Sequence, residues 1–265
     1  MAVSFKYSMA KYAETKQFKH RGKRGEKKMP GESTKSISDG FNTVIKNPTL
    51  FVPALAPIAI ILLFSVLALV VFPVEILNYD IFRGFYVETV GNPWIETVGF
   101  FLALLVGFIA GLMIVDMAND KISGQPINLN KSLNVVMSRL GTLIVASIIA
   151  AVCAITFVLI PVALFIITIA IVEGKDAIES TKSAFNFVIK NLGEVIVFII
   201  VVIVIQIVLT FVFGIIPVVG TYLSDILYWG ADVFFTVAAV HFYLALRSST
   251  ATSTPPPPPP PPPSS

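Results

Sequence analysis

The chain has 265 residues, of which 55% are apolar and only 13% charged, with 19 Lys and Arg against 16 Asp and Glu. Soluble domains average roughly 45 to 50% apolar and about 25% charged, so this composition excludes an ordinary soluble protein and points to a bilayer. The single cysteine, Cys153, excludes an intramolecular disulfide; lying in an apolar run, it argues for inert packing over redox chemistry.

Residues 1–33 form a polar, basic arm. Its core, KHRGKRGEKK at 19–28, holds six Lys and Arg in ten positions without an apolar partner, the composition of a disordered segment. Beside a membrane, anionic lipid headgroups are favoured over nucleic acid as its partner, at about 1 kcal/mol per basic residue near the surface. A plain topology signal with no partner is the competing reading. No early apolar stretch reads as a cleavable signal, so the first membrane helix is expected to serve as the targeting element.

The membrane domain is expected over residues 34–247. Five apolar runs, 49–74, 97–115, 140–172, 195–219 and 226–246, contain no Lys, Arg, Asp or Glu except Asp232, and about 18 such residues suffice to cross a bilayer. Ahead of the first run stands FNTVIKN (41–47), which recurs as FNFVIKN at 185–191. Aligned on these stretches, Ile37, Phe41, Val44 and Ile45 match Thr181, Phe185, Val188 and Ile189. A weaker copy, LNKSLNVVMSRLG, supplies Leu129, Leu133, Val136 and Met137. Positions i, i+4, i+7 and i+8 share a helical face, so each copy predicts a short amphipathic helix with a narrow apolar stripe.

Each copy leads into an apolar run that reaches a proline, Pro73, Pro161 or Pro217, lying 32, 28 and 32 residues after Phe41, Leu133 and Phe185. Proline lacks the helix donor and disfavours a helical residue before it, so these prolines are expected to end ascending helices and open hairpin turns. Three such units predict an all-α, polytopic membrane bundle. It has six transmembrane helices in three hairpins, each preceded by a cytoplasmic interfacial amphipathic helix. The middle unit is cramped: residues 140–172 offer 33 positions, whereas two crossings want about 40. Its descending helix, 162–172, must be short, thin the bilayer or pack among neighbours; a single kinked helix is the rival.

Eleven of the 19 Lys and Arg precede the first run, three lie in 117–140, three in 173–191, and Arg247 follows the last run. Arg83 alone falls on the other side, with Glu75, Asp80 and Glu88. The positive-inside rule then puts both termini and all three amphipathic segments on the cytoplasmic face of a multi-pass cell-membrane protein. In that setting Lys46, Arg139 and Lys190 are expected to snorkel to lipid phosphates while Phe41, Leu133 and Phe185 enter the acyl boundary. The repeated motif reads as an interfacial elbow, not a ligand site.

Ionisable residues inside the runs are functional candidates, because charge in hydrocarbon is costly. Asp232 and Gln206 fall about 20 and about 21 Å above the cytoplasmic edge, level enough to pair across adjacent antiparallel helices. A structural hydrogen bond is the favoured reading, with ion or proton coupling and a water-lined vestibule as alternatives. Asp225 shares that face near Tyr222, Tyr228 and Trp229 at the outer interface, and His241 points the opposite way, toward packing. Two histidines and one cysteine, without HExxH, a Gly-rich phosphate loop or GxSxG, point to no metal, cofactor or nucleophile, and no enzymatic activity is expected.

Residues 248–265 form a proline-rich cytoplasmic tail. Its nine prolines, Pro255–Pro263, predict a polyproline II rod of roughly 28 Å. Such rods dock protein partners; without a flanking basic residue, a spacer is favoured.

FNTVIKNPTLFVPAL, the proline turns, IVEGKDAIESTKSAFNFVIKN and the terminal FYLALR together resemble the membrane domain of some glycerophosphodiester phosphodiesterases. They also resemble related archaeal and bacterial multi-pass proteins of unknown function. The resemblance covers about residues 36–247. In bifunctional members that domain accompanies a catalytic barrel opening with His, Arg, Gly. His20, Arg21 and Gly22 match it only superficially, since no acidic metal-binding motif follows and no room for a barrel is left. The resemblance thus implies a membrane fold without an activity. The expectation is a non-enzymatic scaffold or accessory protein acting on lipids or partner proteins at the cytoplasmic face. The alternative, a small transporter or channel using Asp232, is less favoured because the repeats all run in one orientation.

Overall fold

Local signals along the chain set most helix ends. The computed structural model describes residues 31–80, 84–156, 158–214 and 219–251. The basic run 19–28, with His20, Arg21 and Gly22, lies outside the described residues, as do Arg83, Pro217 and Pro255–Pro263. The side chains of Tyr222, Asp225 and Tyr228 also lie outside them.

Helix α1, Glu32–Lys46, carries an acid in its first turn and a base in its last, complementing the helix dipole. After Asn47, a 3-10 turn at Pro48–Phe51 opens α2, Val52–Val66, which ends in a π-helical turn at Leu67–Val71. Helix α3, Pro93–Ile122, starts with the Asn92 side chain accepting from the Trp94 amide at 3.1 Å. Helices α4 (Leu129–Ser138) and α7 (Ala177–Lys190) start alike. Asn128 accepts from the Lys131 amide at 3.0 Å and Asp176 from the Glu179 amide at 2.8 Å. The apolar helices α5 (Leu140–Ile155), α6 (Ile160–Val172), α8 (Leu192–Gly214) and α9 (Val219–Ala251) complete the order. Helices α3 and α6 stop at Gly124 and Gly174, whose φ of +79° and +65° a side chain would resist.

Four of the described helices are long and apolar enough to cross a membrane: Pro48–Val71, Pro93–Ile122, Leu192–Val212 and Trp229–Ser248. A fifth span arises only if α4 and α5, bent by 75° at Arg139, are counted as one. The expected six transmembrane helices are therefore corrected to four or five. The shortfall is in the middle unit, where α5 has 16 residues and α6 has 13, about 24 and about 20 Å, against a core of about 30 Å.

The prolines also act differently from expectation. Pro73 does follow a helix end, but it precedes a β-strand. Pro161 does not end the ascending helix, which already stops at Ile155; it occupies the first turn of α6. A missing N–H costs nothing there, since the first turn has no acceptor for it. The loop expected after Pro73 is an antiparallel hairpin, β1 (Val74–Asp80) and β2 (Gly84–Val90), in register from Val74 opposite Val90 to Asp80 opposite Gly84.

The packing repeats with the sequence. Helices α1–α3, α4–α6 and α7–α9 are three copies of one arrangement: amphipathic helix, one-residue break, apolar helix, descending helix. Each amphipathic helix packs on the last helix of the preceding copy, α4 on α3 and α7 on α6, and α1 packs on α9 to close the cycle. An aromatic cluster joins the second and third copies. The ring of Phe242 stacks on that of Phe198 at 4.7 Å, with Phe165, Phe187 and Tyr243 around them.

Candidate functional site

The three elbows share a backbone solution. Their break residues, Asn47, Arg139 and Asn191, have φ of −135°, −117° and −119°, too extended to continue a helix. At the two FNxVIKN copies the break residue caps the helix it ends: Asn47 Nδ2 donates to Thr43 O at 2.7 Å and Asn191 Nδ2 to Phe187 O at 2.9 Å. Those carbonyls lie in the last turn, where backbone donors run short; Phe187 O also takes the Asn191 amide, at 3.1 Å. The final Asn that the two copies share is thus the motif's structural point, a role the sequence reading did not assign.

Each amphipathic helix presents two faces. Inward go a small residue and a valine one turn on: Gly40 and Val44, Ser132 and Val136, Ala184 and Val188, all buried. Space at the first of these is tight, since a Cβ on Gly40 would lie 2.7 Å from Ala238 Cα. Outward go Ile45, Met137 and Ile189, at 68%, 50% and 70% exposure, with Phe41 and Leu133 beside them. The stripe read as one face is thus divided: Val44 and Val188 join the protein, and their neighbours Ile45 and Ile189 leave it. Phe41 is placed at the divide, stacked on Phe234 at 4.2 Å, and Phe185 is half-buried. Lys46, Lys182 and Lys190 are exposed along the outward side.

Arg139 does not snorkel. Its guanidinium donates to Ala170 O at 2.9 Å and Lys175 O at 2.6 Å, capping the C-terminal end of α6. It aligns with Asn47 and Asn191, not with Lys46 and Lys190, and it serves the same purpose in trans. Beside it Glu173 accepts from Tyr243, pairs with Lys175 and lies 3.3 Å from Arg247, tying α6 to α9. Burial pushes the Glu173 carboxyl up, but hydrogen bonds from Lys175 and Tyr243 and the Arg247 charge outweigh it and hold the group below the ordinary carboxylate range. At the matching end of α3, Asp116 accepts from Ser132 at 2.6 Å and Asp120 from Lys131 at 2.7 Å, fastening α4. Ser33 and Glu194 fasten α1 to α8, Oγ to Oε2 at 2.6 Å. Asp116 and Glu173, at matching ends of α3 and α6, are thus both joints between repeats.

Asp232 is exposed on α9 and, among the described residues, no hydrogen bond joins it to Gln206. Gln206 is half-buried and, with Ile207, Thr210 and Phe211, lines an open depression of about 500 Å³ on α8. His241 Nε2 lies 2.9 Å from Thr43 Oγ1 and joins α9 to α1. Trp229 packs over Gly107 of α3. Among the described residues no cluster of His, Cys, Asp and Glu is arranged to hold a metal ion. No family model, curated protein or solved structure matches the chain, so the geometry of the elbows is what any functional reading must rest on.

Proposed function

We propose that this protein is a non-enzymatic membrane scaffold whose three elbows organise lipid at the cytoplasmic leaflet, with both chain ends on that side. The observation that carries the reading is the divided face of the amphipathic helices, with small residues turned to the bundle and Ile45, Met137 and Ile189 turned out. Exposed apolar side chains flanked by Lys46, Lys182 and Lys190 suit an acyl boundary capped by anionic headgroups. The sequence resemblance supports the same reading, a membrane domain that brings no catalytic residues.

The test is the lipid retained around the protein in nanodiscs of fixed bulk composition, measured by mass spectrometry. Anionic lipid is expected in excess over bulk. With Lys46, Lys182 and Lys190 all changed to Gln, the excess should fall by roughly tenfold or more, since each surface cation contributes about 1 kcal/mol, and salt near 1 M should abolish it. A parent protein with no anionic preference ends this reading. The transporter reading keeps one supporting observation, an acidic residue, Asp232, exposed within Trp229–Ser248. It requires that Asp232→Asn abolish a solute or proton flux in reconstituted vesicles.

A further inference from the structure

The middle repeat differs from the other two in length, not in plan. Its ascending helix α5 has 16 residues, where the first repeat has Pro48–Val71 (24 residues) and the third has α8 (23 residues). Two turns are missing. The descending helix α6, at 13 residues, is shorter still.

The depth reached by this hairpin follows from its contacts. The ring of Phe165 on α6 lies 6.5 Å from that of Phe198, which stands six residues into α8, or about 9 Å along it. Five residues remain between Phe165 and the start of α6 at Ile160, adding at most about 7.5 Å. The start of α6 therefore stands roughly 17 Å above the beginning of the span Leu192–Val212, and α5, about 24 Å long, carries the tip no higher than that above Arg139. A bilayer core is about 30 Å thick.

The tip is built for hydrocarbon. No Lys, Arg, Asp or Glu occurs from 140 to 172, and the tip residues Ile155 and Val158 are 81% and 83% exposed. Ile148 and Val152 continue that apolar surface down α5. Non-helical backbone survives at such depth only if its polar groups are satisfied. Here the Thr156 amide and hydroxyl both donate to Cys153 O, at 3.2 and 2.7 Å, and the Val158 amide donates to Thr156 O. Pro161, in the first turn of α6, removes an N–H that would otherwise lack an acceptor.

We propose that α5–α6 is a re-entrant hairpin whose apolar tip, at Ile155 and Val158, ends inside the hydrocarbon core against lipid acyl chains and does not reach the far headgroups. This rests on the multi-pass membrane character of the chain, not on the role proposed for the elbows. The four long helices cross; the middle repeat enters and leaves on one side, so the elbows of all three repeats stay on one surface.

The experiment uses the full chain with Cys153→Ser, which removes the only native cysteine, and adds Val158→Cys or, as an independent second position, Ile155→Cys. Trp94→Cys, at the exposed start of α3, is the far-side control. In intact proteoliposomes a membrane-impermeant maleimide should label Trp94→Cys from one face only. Both tip cysteines should label at least roughly tenfold less from either face, because a thiol in hydrocarbon seldom ionises, and should label fully in detergent. A bimane fixed at the tip before reconstitution should be quenched more by lipids brominated near the chain ends than by lipids brominated near the headgroup. Labelling of the tip from the Trp94 face would mean a full crossing and overturn the proposal. A tip that is neither labelled nor quenched would be covered by protein instead of acyl chains, and would overturn it equally.

Discussion

Replacing Asn191 by Ala removes the hydrogen bond from its Nδ2 to Phe187 O, in the last turn of α7, and leaves that carbonyl only the residue-191 amide at 3.1 Å. The expected loss is about 1 kcal/mol, and the same for Asn47→Ala. Cys153 is buried, so the temperature at which it reacts with a thiol-specific fluorophore in detergent reports unfolding, and both variants should react at lower temperature than the parent. Gly40→Ala should lower it further, by about 1 to 3 kcal/mol, because the new methyl would press on the backbone of Ala238 and not on a movable side-chain tip. At this scale the sequence was half legible. FNxVIKN stood out as a repeat and its valines do pack, yet the large residues drew the reading away from Gly40, Ser132 and Ala184, which pack beside them. Small residues matter through what they leave room for, which hydropathy does not register. Arg139 was misplaced for a related reason: its charge suggested lipid phosphate, whereas its position in the repeat is that of a capping residue.

Among the elements, Glu173 is the joint on which α6, α9 and the loop to α7 converge. Its folded carboxyl titrates below the ordinary range, so the stability it contributes is fully present above the unfolded value and is lost as pH falls through the lowered one. Stability should therefore be flat from about pH 6 to about pH 8 and drop below about pH 4, and Glu173→Gln should remove part of that acid step. The neutral-pH loss in the variant should be about 1 kcal/mol, modest because Lys175 and Arg247 are substantially exposed. Equal acid sensitivity of parent and variant would show that other carboxylates set the step. Helix existence and the cramped middle unit were readable from apolar run lengths. The hairpin of β1 and β2 was not, because residues 74–90 contain no Asn-Gly or Asp-Gly turn and Ile76 and Leu77 break the alternation that marks a strand. Pro161 was read as a stop because a proline fits just beyond a helix end and just inside a helix start equally well.

Across the whole molecule, the three-part plan was legible from the matched elbows and prolines, while the closing contact was not, since nothing local tells α1 that its partner is α9. Thr43 meets His241 and Ser33 meets Glu194 across 198 and 161 residues of chain. A chain ended after Gly214 should keep α4 on α3 and α7 on α6, yet leave α1 without its seat. Limited proteolysis should then cut near residues 32–46 in the shortened chain and spare them in the full one; equal protection in both would show that α1 is held by other contacts. This closure also orders the protein's birth. Of the described helices, the first to be made docks on the last, so the inner face of α1 waits uncovered, and open to quality-control proteases, until α9 has been inserted.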